Sequence, residues 1–139
     1  MPFDLERFVS AQEGVYDGAL RELRAGRKSG HWIWFIFPQL VGLGRSEMSR
    51  FYGIESIEEA RAYLDHPVLG PRLRECVGVV LATSGVTAEQ VFGPLDAMKV
   101  RSSMTLFHRA APDGALFAEV LARFYQGAVD EATDALLGG

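Results

Sequence analysis

The chain has 139 residues, 48% of them apolar and 23% charged, which suits one compact domain spanning residues 1–139 and excludes two independent cores. Its 14 basic and 18 acidic side chains leave a net charge of −4, so a basic coat for nucleic acid is excluded as the general design and no nucleic-acid partner is expected. Cys76 is the only cysteine, which excludes an intrachain disulfide and a cysteine-rich zinc cage and fits a buried thiol in a reducing compartment. Met1 to Glu6 carries neither a basic nor an apolar leader signal, and no stretch approaches the roughly 20 apolar residues of a membrane span. A cytoplasmic protein with no membrane partner is the expectation.

In chain order, Leu5, Phe8, Val9, Val15, Tyr16, Ala19, Leu20 and Leu23 recur at steps of three and four, predicting one helix over Asp4 to Ala25. Asp4 is its expected N-cap and Gly26 its stop. Arg27 to Gln39 holds six consecutive apolar positions, Trp32 to Phe37, where periodicity does not separate strand from helix. Helix is predicted, because no other segment offers a partner strand. Pro38, Gly42 and Gly44 impose a loop, Ser46 to Phe51 reads as a short helix, and Ser56-Ile57-Glu58-Glu59 reads as a capping box opening a helix to about His66. A further helix follows Pro67 and runs to about Thr83, with Pro71 in its first turn. Thr87-Ala88-Glu89-Gln90 opens a short helix, Gly93-Pro94 starts a longer one to about Arg109, and Asp113 is the expected cap of a helix ended by Gly127. Asp130 to Leu137 forms the last. The sum is an all-α bundle of about seven helices, each too short to hold without packing its apolar stripe on the others.

Polar residues on apolar faces are the chemical signal. On the Pro94 to Arg109 helix, Lys99 and Ser102 point the same way as Leu95 and Leu106, while Asp96 and Ser103 fall between two apolar sectors. A buried ammonium without a partner costs several kcal/mol. Either Asp96, three residues before Lys99, pairs with it and the serines bond back to the preceding turn, or Lys99, Ser102 and Ser103 face a polar cleft and bind an anion. A serine nucleophile activated by Lys99 is a third option that depends on geometry.

The second signal is the block from Lys28 to Gln39. Trp32 and Trp34 sit beside Arg27, Lys28 and His31, which reads as a basic turn entering a core helix, or as an aromatic wall for a planar ring with Lys28 or His31 meeting a phosphate. Gln12 lies on the apolar stripe of the first helix and is expected to hydrogen-bond in the core; Glu6, Asp17 and Glu22 read as a solvated face. No metal site is expected, since no two of His31, His66 and His108 have i, i+4 spacing. No cofactor is expected either: Gly42-Leu43-Gly44 lacks the third glycine and the preceding strand of a dinucleotide fingerprint and reads as a turn.

Phe8-Val9-Ser10-Ala11-Gln12, Tyr16, Gly26-Arg27-Lys28, His31-Trp32-Ile33-Trp34-Phe35-Ile36-Phe37-Pro38-Gln39, His66-Pro67-Val68-Leu69-Gly70, Phe92-Gly93, Asp96, Lys99 and Ser102-Ser103-Met104-Thr105-Leu106-Phe107 together resemble a bacterial family, domain of unknown function 1810. Some of its members carry the label calpastatin. The resemblance covers nearly the whole chain and implies a small, mainly α-helical single domain; it implies no particular reaction. Inhibition of a calcium protease ordinarily uses extended disordered segments, whereas this chain reads as compact.

The leading expectation is therefore a pocket between helices for a nucleotide or another phosphorylated ring compound, lined by Trp32 and Trp34 with Lys28, His31, Lys99, Ser102 and Ser103. If the pocket is catalytic, Asp96 is the acid or base and Lys99 the charge stabiliser, as in glycosidic-bond hydrolysis of a nucleotide derivative. The competing expectation is a non-catalytic interaction or scaffold module in which the Trp/Phe block is core or partner surface.

Overall fold

The computed structural model describes residues 3–111 and 115–138, and among these it is all-α, with no strand and a lone bridge between Leu40 and Ile54. Its helices are α1 (Glu6–Gln12), α2 (Tyr16–Arg24), α3 (Ile33–Ile36), α4 (Glu47–Phe51), α5 (Ile57–Asp65), α6 (Leu69–Ala82), α7 (Ala88–Phe92), α8 (Pro94–Ala110), α9 (Ala115–Phe124) and α10 (Glu131–Leu136). No helix among the described residues is long and apolar enough to cross a membrane.

Among the described residues ten helices stand where about seven were expected, and the first helix is the clearest correction. Glu13 is extended and Gly14 takes a φ of 73°, so the expected Asp4 to Ala25 helix divides into α1 and α2. The positive φ costs glycine nothing, and the break lets the two apolar stripes turn toward different neighbours. Asp4 does not cap: Leu5 occupies the N-cap of α1 without a side-chain hydrogen bond. The Trp32 to Phe37 block is helical for a single turn, because Pro38 disfavours helical backbone at Phe37, which leaves the helix at φ −124°, ψ 72°.

Other termini follow the local chemistry. Ser46 and Ser56 accept the N3 amide at the starts of α4 and α5, and Thr87 with Gln90 completes a reciprocal capping box on α7. Glu59 departs from the simple box: its Oε1 accepts from the Glu55 amide at 2.7 Å, and its Oε2 is paired with Arg7 at 3.0 Å in a nearly dry site. Gly26 and Gly127 follow α2 and α9 at positive φ, as stops should. Pro112, Asp113 and Gly114, and with them the expected cap by Asp113, lie outside the described residues.

α8 is the axis of the molecule, packing against α3, α5, α7, α9 and α10. Val100, Met104, Leu106 and Phe107 on it are buried in one continuous cluster with Phe8, Leu23, Trp32, Phe37, Tyr63, Leu73, Val77 and Phe117. Each such side chain contributes about 1.5–3 kcal/mol by leaving water. α5 and α6 meet closely at Gly70, where an added Cβ would lie 2.0 Å from the Leu64 carbonyl oxygen, so that corner accepts only glycine. Gln12 bonds in the core as expected: its Nε2 donates to the Phe35 carbonyl at 2.8 Å, and its Oε1 accepts from Arg72 at 3.1 Å. The loop after α3 is tied down by Ile54, whose N–H donates to Gln39 O and whose carbonyl accepts from Val41 N, both at 2.8 Å. That tie fixes the floor of the site described next.

Candidate functional site

A cleft of about 320 Å³ opens between α3, the loop that follows it, the N-terminal half of α8 and the start of α10. α3 turns Ile33, Phe35 and Ile36 into the core, and a single turn cannot bury all four side chains. Trp34 is the one left half-buried, and it forms a wall of the cleft. Leu95, Met98, Lys99 and Ser102 of α8 form the opposite side. Leu95 is 72% and Met98 66% exposed, so the Leu95–Lys99–Ser102 stripe is open at its N-terminal end and closes at Ser102, which is already buried, before it reaches Leu106. Lys99 therefore does not lie on a buried apolar face; at its level that face is the cleft wall.

Lys99 Nζ sits 4.8 Å from the Trp34 ring centroid and donates to Asp96 Oδ1 at 3.1 Å. The other oxygen of Asp96 is 2.8 Å from Lys28 Nζ. Lys28 in turn donates to the Gly30 carbonyl and lies 5.0 Å from the Trp32 ring. The Trp32 indole N–H donates to Glu22 Oε1 at 2.9 Å, and the same oxygen accepts the Ser29 and Gly30 amides at 2.8 and 2.9 Å. Two ammonium–indole pairs are thus joined through one carboxylate.

The electrostatics follow. Burial works to raise the Asp96 carboxyl, but hydrogen bonds from Lys28 and Lys99, with their charges, outweigh it and hold the group below its ordinary value. At Glu22 partial burial is likewise outweighed, by the Gly30 and Ser29 amides and the Trp32 indole, and the carboxyl falls to about 2. A carboxylate held ionised between two ammoniums is a poor proton donor.

On the far side of the cleft stands Asp130. Its Oδ2 accepts from Ser102 at 2.8 Å and from Thr133 at 2.6 Å, and its backbone N–H donates to Thr105 Oγ1 at 2.9 Å. Thr105 and Thr133 are fully buried, so three hydroxyls from α8 and α10 clamp this residue at the cleft rim.

Of the residues expected at the site, Trp34, Lys99 and Ser102 share the cleft. Asp96 and Lys28 stand behind Lys99, with Lys28 only 7% exposed. Three expectations are corrected by packing. Trp32 is 2% exposed and belongs to the core, so it offers no face to a ligand. His31 is exposed on the turn before α3 and does not line the cleft. Ser103 is fully buried, one helical step from Ser102 and therefore about 100° around the axis, and its Oγ has no hydrogen-bond partner among the described residues. Ser102 also bonds back to Met98 O at 3.2 Å, and Lys99 bonds Asp96 rather than either serine, which removes the activated-serine option.

Glu22, expected to be a solvated charge, is instead the acceptor that orders the Ser29 to Trp32 turn. Asp130 and Gln39 were not singled out by the sequence, although both line the cleft. The available signal for Asp130 was its position opening a helix three residues before Thr133; nothing local ties it to Ser102, 28 residues away.

Fold and site together define an all-α protein with an aromatic, charged cleft beside its central helix. The chain belongs to the family described as protein of unknown function DUF1810, whose pattern it matches over residues 2–137. It is also similar to the crystal structure of the conserved hypothetical protein Rv1873 from Mycobacterium tuberculosis, with 55% identity, a TM-score of 0.98, and 100% of this chain and 99% of that one covered. No curated protein matches the chain.

Proposed function

We propose that this protein binds a small ring compound carrying an anionic group, of the nucleotide class, in the cleft between α3, α8 and α10. The observation that carries the reading is the state of Lys99. Its counter-ion Asp96 is shared with Lys28, so the two ammoniums are only half neutralised, and Lys99 is the one that remains 24% exposed, beside the Trp34 ring. A part-exposed ammonium whose charge is only partly neutralised, beside a half-buried aromatic ring, suits an anion attached to a planar ring. The volume of about 320 Å³ is at the lower end for small-molecule sites, about 300–1,000 Å³.

The reading stops at binding. Asp96 is held as a carboxylate by both lysines, so it is a counter-ion rather than an acid, and glycosidic hydrolysis gains no support from it. Nucleic acid is left out because the net charge is −4 and the cleft presents one partly neutralised ammonium rather than a row of cations. A reducing cytoplasm is the proposed location, consistent with the lone buried thiol of Cys76.

The test is calorimetric titration with nucleoside monophosphates and the matching unphosphorylated nucleosides. Wild-type protein is expected to prefer the phosphorylated members, and Lys99→Met to lose that preference by about tenfold or more while changing unfolding stability by less than about 1 kcal/mol. A flat panel overturns the proposal. A second reading draws on the exposure of Leu95 and Met98: the same apolar rim suits a protein partner. Leu95→Ser with Met98→Ser separates the two, since it would abolish partner capture but spare an anion held by Lys99.

A further inference from the structure

The cleft carries a feature that an anion site by itself does not explain. Asp130 brings a carboxylate to the same cavity as Lys99, and Ser102, which also lines it, is hydrogen-bonded to Asp130. Lys99 and Ser102 are three residues apart on α8, hence neighbours on its surface, about 5–6 Å between Cβ atoms.

The hydroxyl of Ser102 has one proton to give, and that proton is committed within the protein, to Asp130 Oδ2 at 2.8 Å or to Met98 O at 3.2 Å. Ser102 therefore offers an incoming anion no donor, and Lys99 must hold the anion alone. Asp130 Oδ2 is likewise taken, by Ser102 and Thr133. Its other oxygen, Oδ1, receives no hydrogen bond from the described residues and is not among the buried atoms lacking a partner, so it is open to solvent or to a ligand. An ionised carboxylate oxygen accepts only. It calls for hydroxyl or amino protons and repels phosphate.

The charges reinforce this. Of the two ammoniums that share Asp96 only Lys99 lines the cleft, and Asp130 brings a carboxylate to the same cavity, so the cleft offers a single cation and nothing to match the further charges of a polyphosphate. We propose that the ligand is two-ended: one anionic group at Lys99, and a hydroxyl pair or amine donating to Asp130 Oδ1, which selects a ribonucleoside monophosphate over its dideoxy analogue and over the triphosphate. This rests on the binding function proposed above and adds to it the polarity and ligand class of the site.

Adenosine 5′-monophosphate, its 2′,3′-dideoxy analogue and adenosine 5′-triphosphate, titrated separately into wild-type protein and Asp130→Asn, test it. Asparagine retains one acceptor oxygen for Ser102 and Thr133 and converts the other position into an N–H donor, so the clamp survives while the proposed contact inverts. The expected result is a preference of about tenfold for the ribose over the dideoxyribose form in wild type, lost in Asp130→Asn, with the triphosphate weaker than the monophosphate. Equal binding of the ribose and dideoxy forms by wild type, or tighter binding of the triphosphate, overturns the two-ended ligand while leaving the binding function standing. Absence of binding by all three compounds to wild type overturns both.

Discussion

Asp96 divides two assemblies built from the same parts. On one side Lys28 and Trp32 are sealed, 7% and 2% exposed, and the indole N–H ends on Glu22. On the other, Lys99 and Trp34 make the same ammonium–ring contact at nearly the same distance, 4.8 against 5.0 Å, but face a cleft. Chemistry does not distinguish the pairs; packing does. The inner pair is satisfied by protein on every side and so acts as structure, while the outer pair keeps a donor and an aromatic edge available. The comparison teaches that an ammonium on an indole is a site only where something beyond it is left unfilled.

Removing the shared carboxylate breaks the comparison most severely. Asp96→Ala leaves the nearly buried Lys28 ammonium facing Lys99 with no counter-ion, and chemical denaturation is expected to show a loss of about 3–5 kcal/mol, against the small effect of losing Lys99 itself. An unchanged denaturation midpoint would mean that the inner pair is not held by this charge.

Glu22→Gln sharpens the distinction from the inner side. It weakens three hydrogen bonds to one oxygen, and a loss of about 1.5–3 kcal/mol is expected at neutral pH, with a shift in the Trp32 indole N–H resonance. The sign of the pH dependence follows from a folded value of about 2 against an ordinary 4.5. Stabilisation by Glu22 is fully present above about pH 4.5 and is lost as the pH falls toward 2, so the variant should show a flatter decline of stability across that window. Asp96, also depressed, works in the same direction.

The smallest effect is expected at Ser103. Its buried hydroxyl lacks a partner, so Ser103→Ala should be neutral or stabilising by up to about 1 kcal/mol, measured by thermal unfolding, whereas its neighbour Ser102 has two acceptors to lose. A clear destabilisation by Ser103→Ala would show that the hydroxyl is bonded after all.

Much of the fold was legible from local chemistry. Ser46, Ser56 and Thr87 mark helix starts because a hydroxyl satisfies an orphan amide within three residues, and Pro94 opens α8 because its missing N–H is not needed there. Gly14 was passed over because the apolar stripe runs on through it, and periodicity does not register a change in backbone direction. The Trp32 to Phe37 block has no period at all, so only Pro38 hinted that its helix would be one turn long.

At the site, the sequence by itself determined that Asp96 lies within pairing reach of Lys99, since residues three apart on a helix are neighbours, and that polar groups on an otherwise apolar helix needed partners in the protein or in a ligand. Which partners they found was decided by the tertiary structure alone. Lys28 reaches Asp96 across 68 positions and Asp130 reaches Ser102 across 28, and each contact depends on how α8 lies against α3 and α10. The same packing buried Ser103 and Trp32 and left Ser102 and Trp34 at the cleft, although each pair is separated by only one or two residues. A wheel gives the angle between side chains, but what stands opposite each angle comes only from the assembled core.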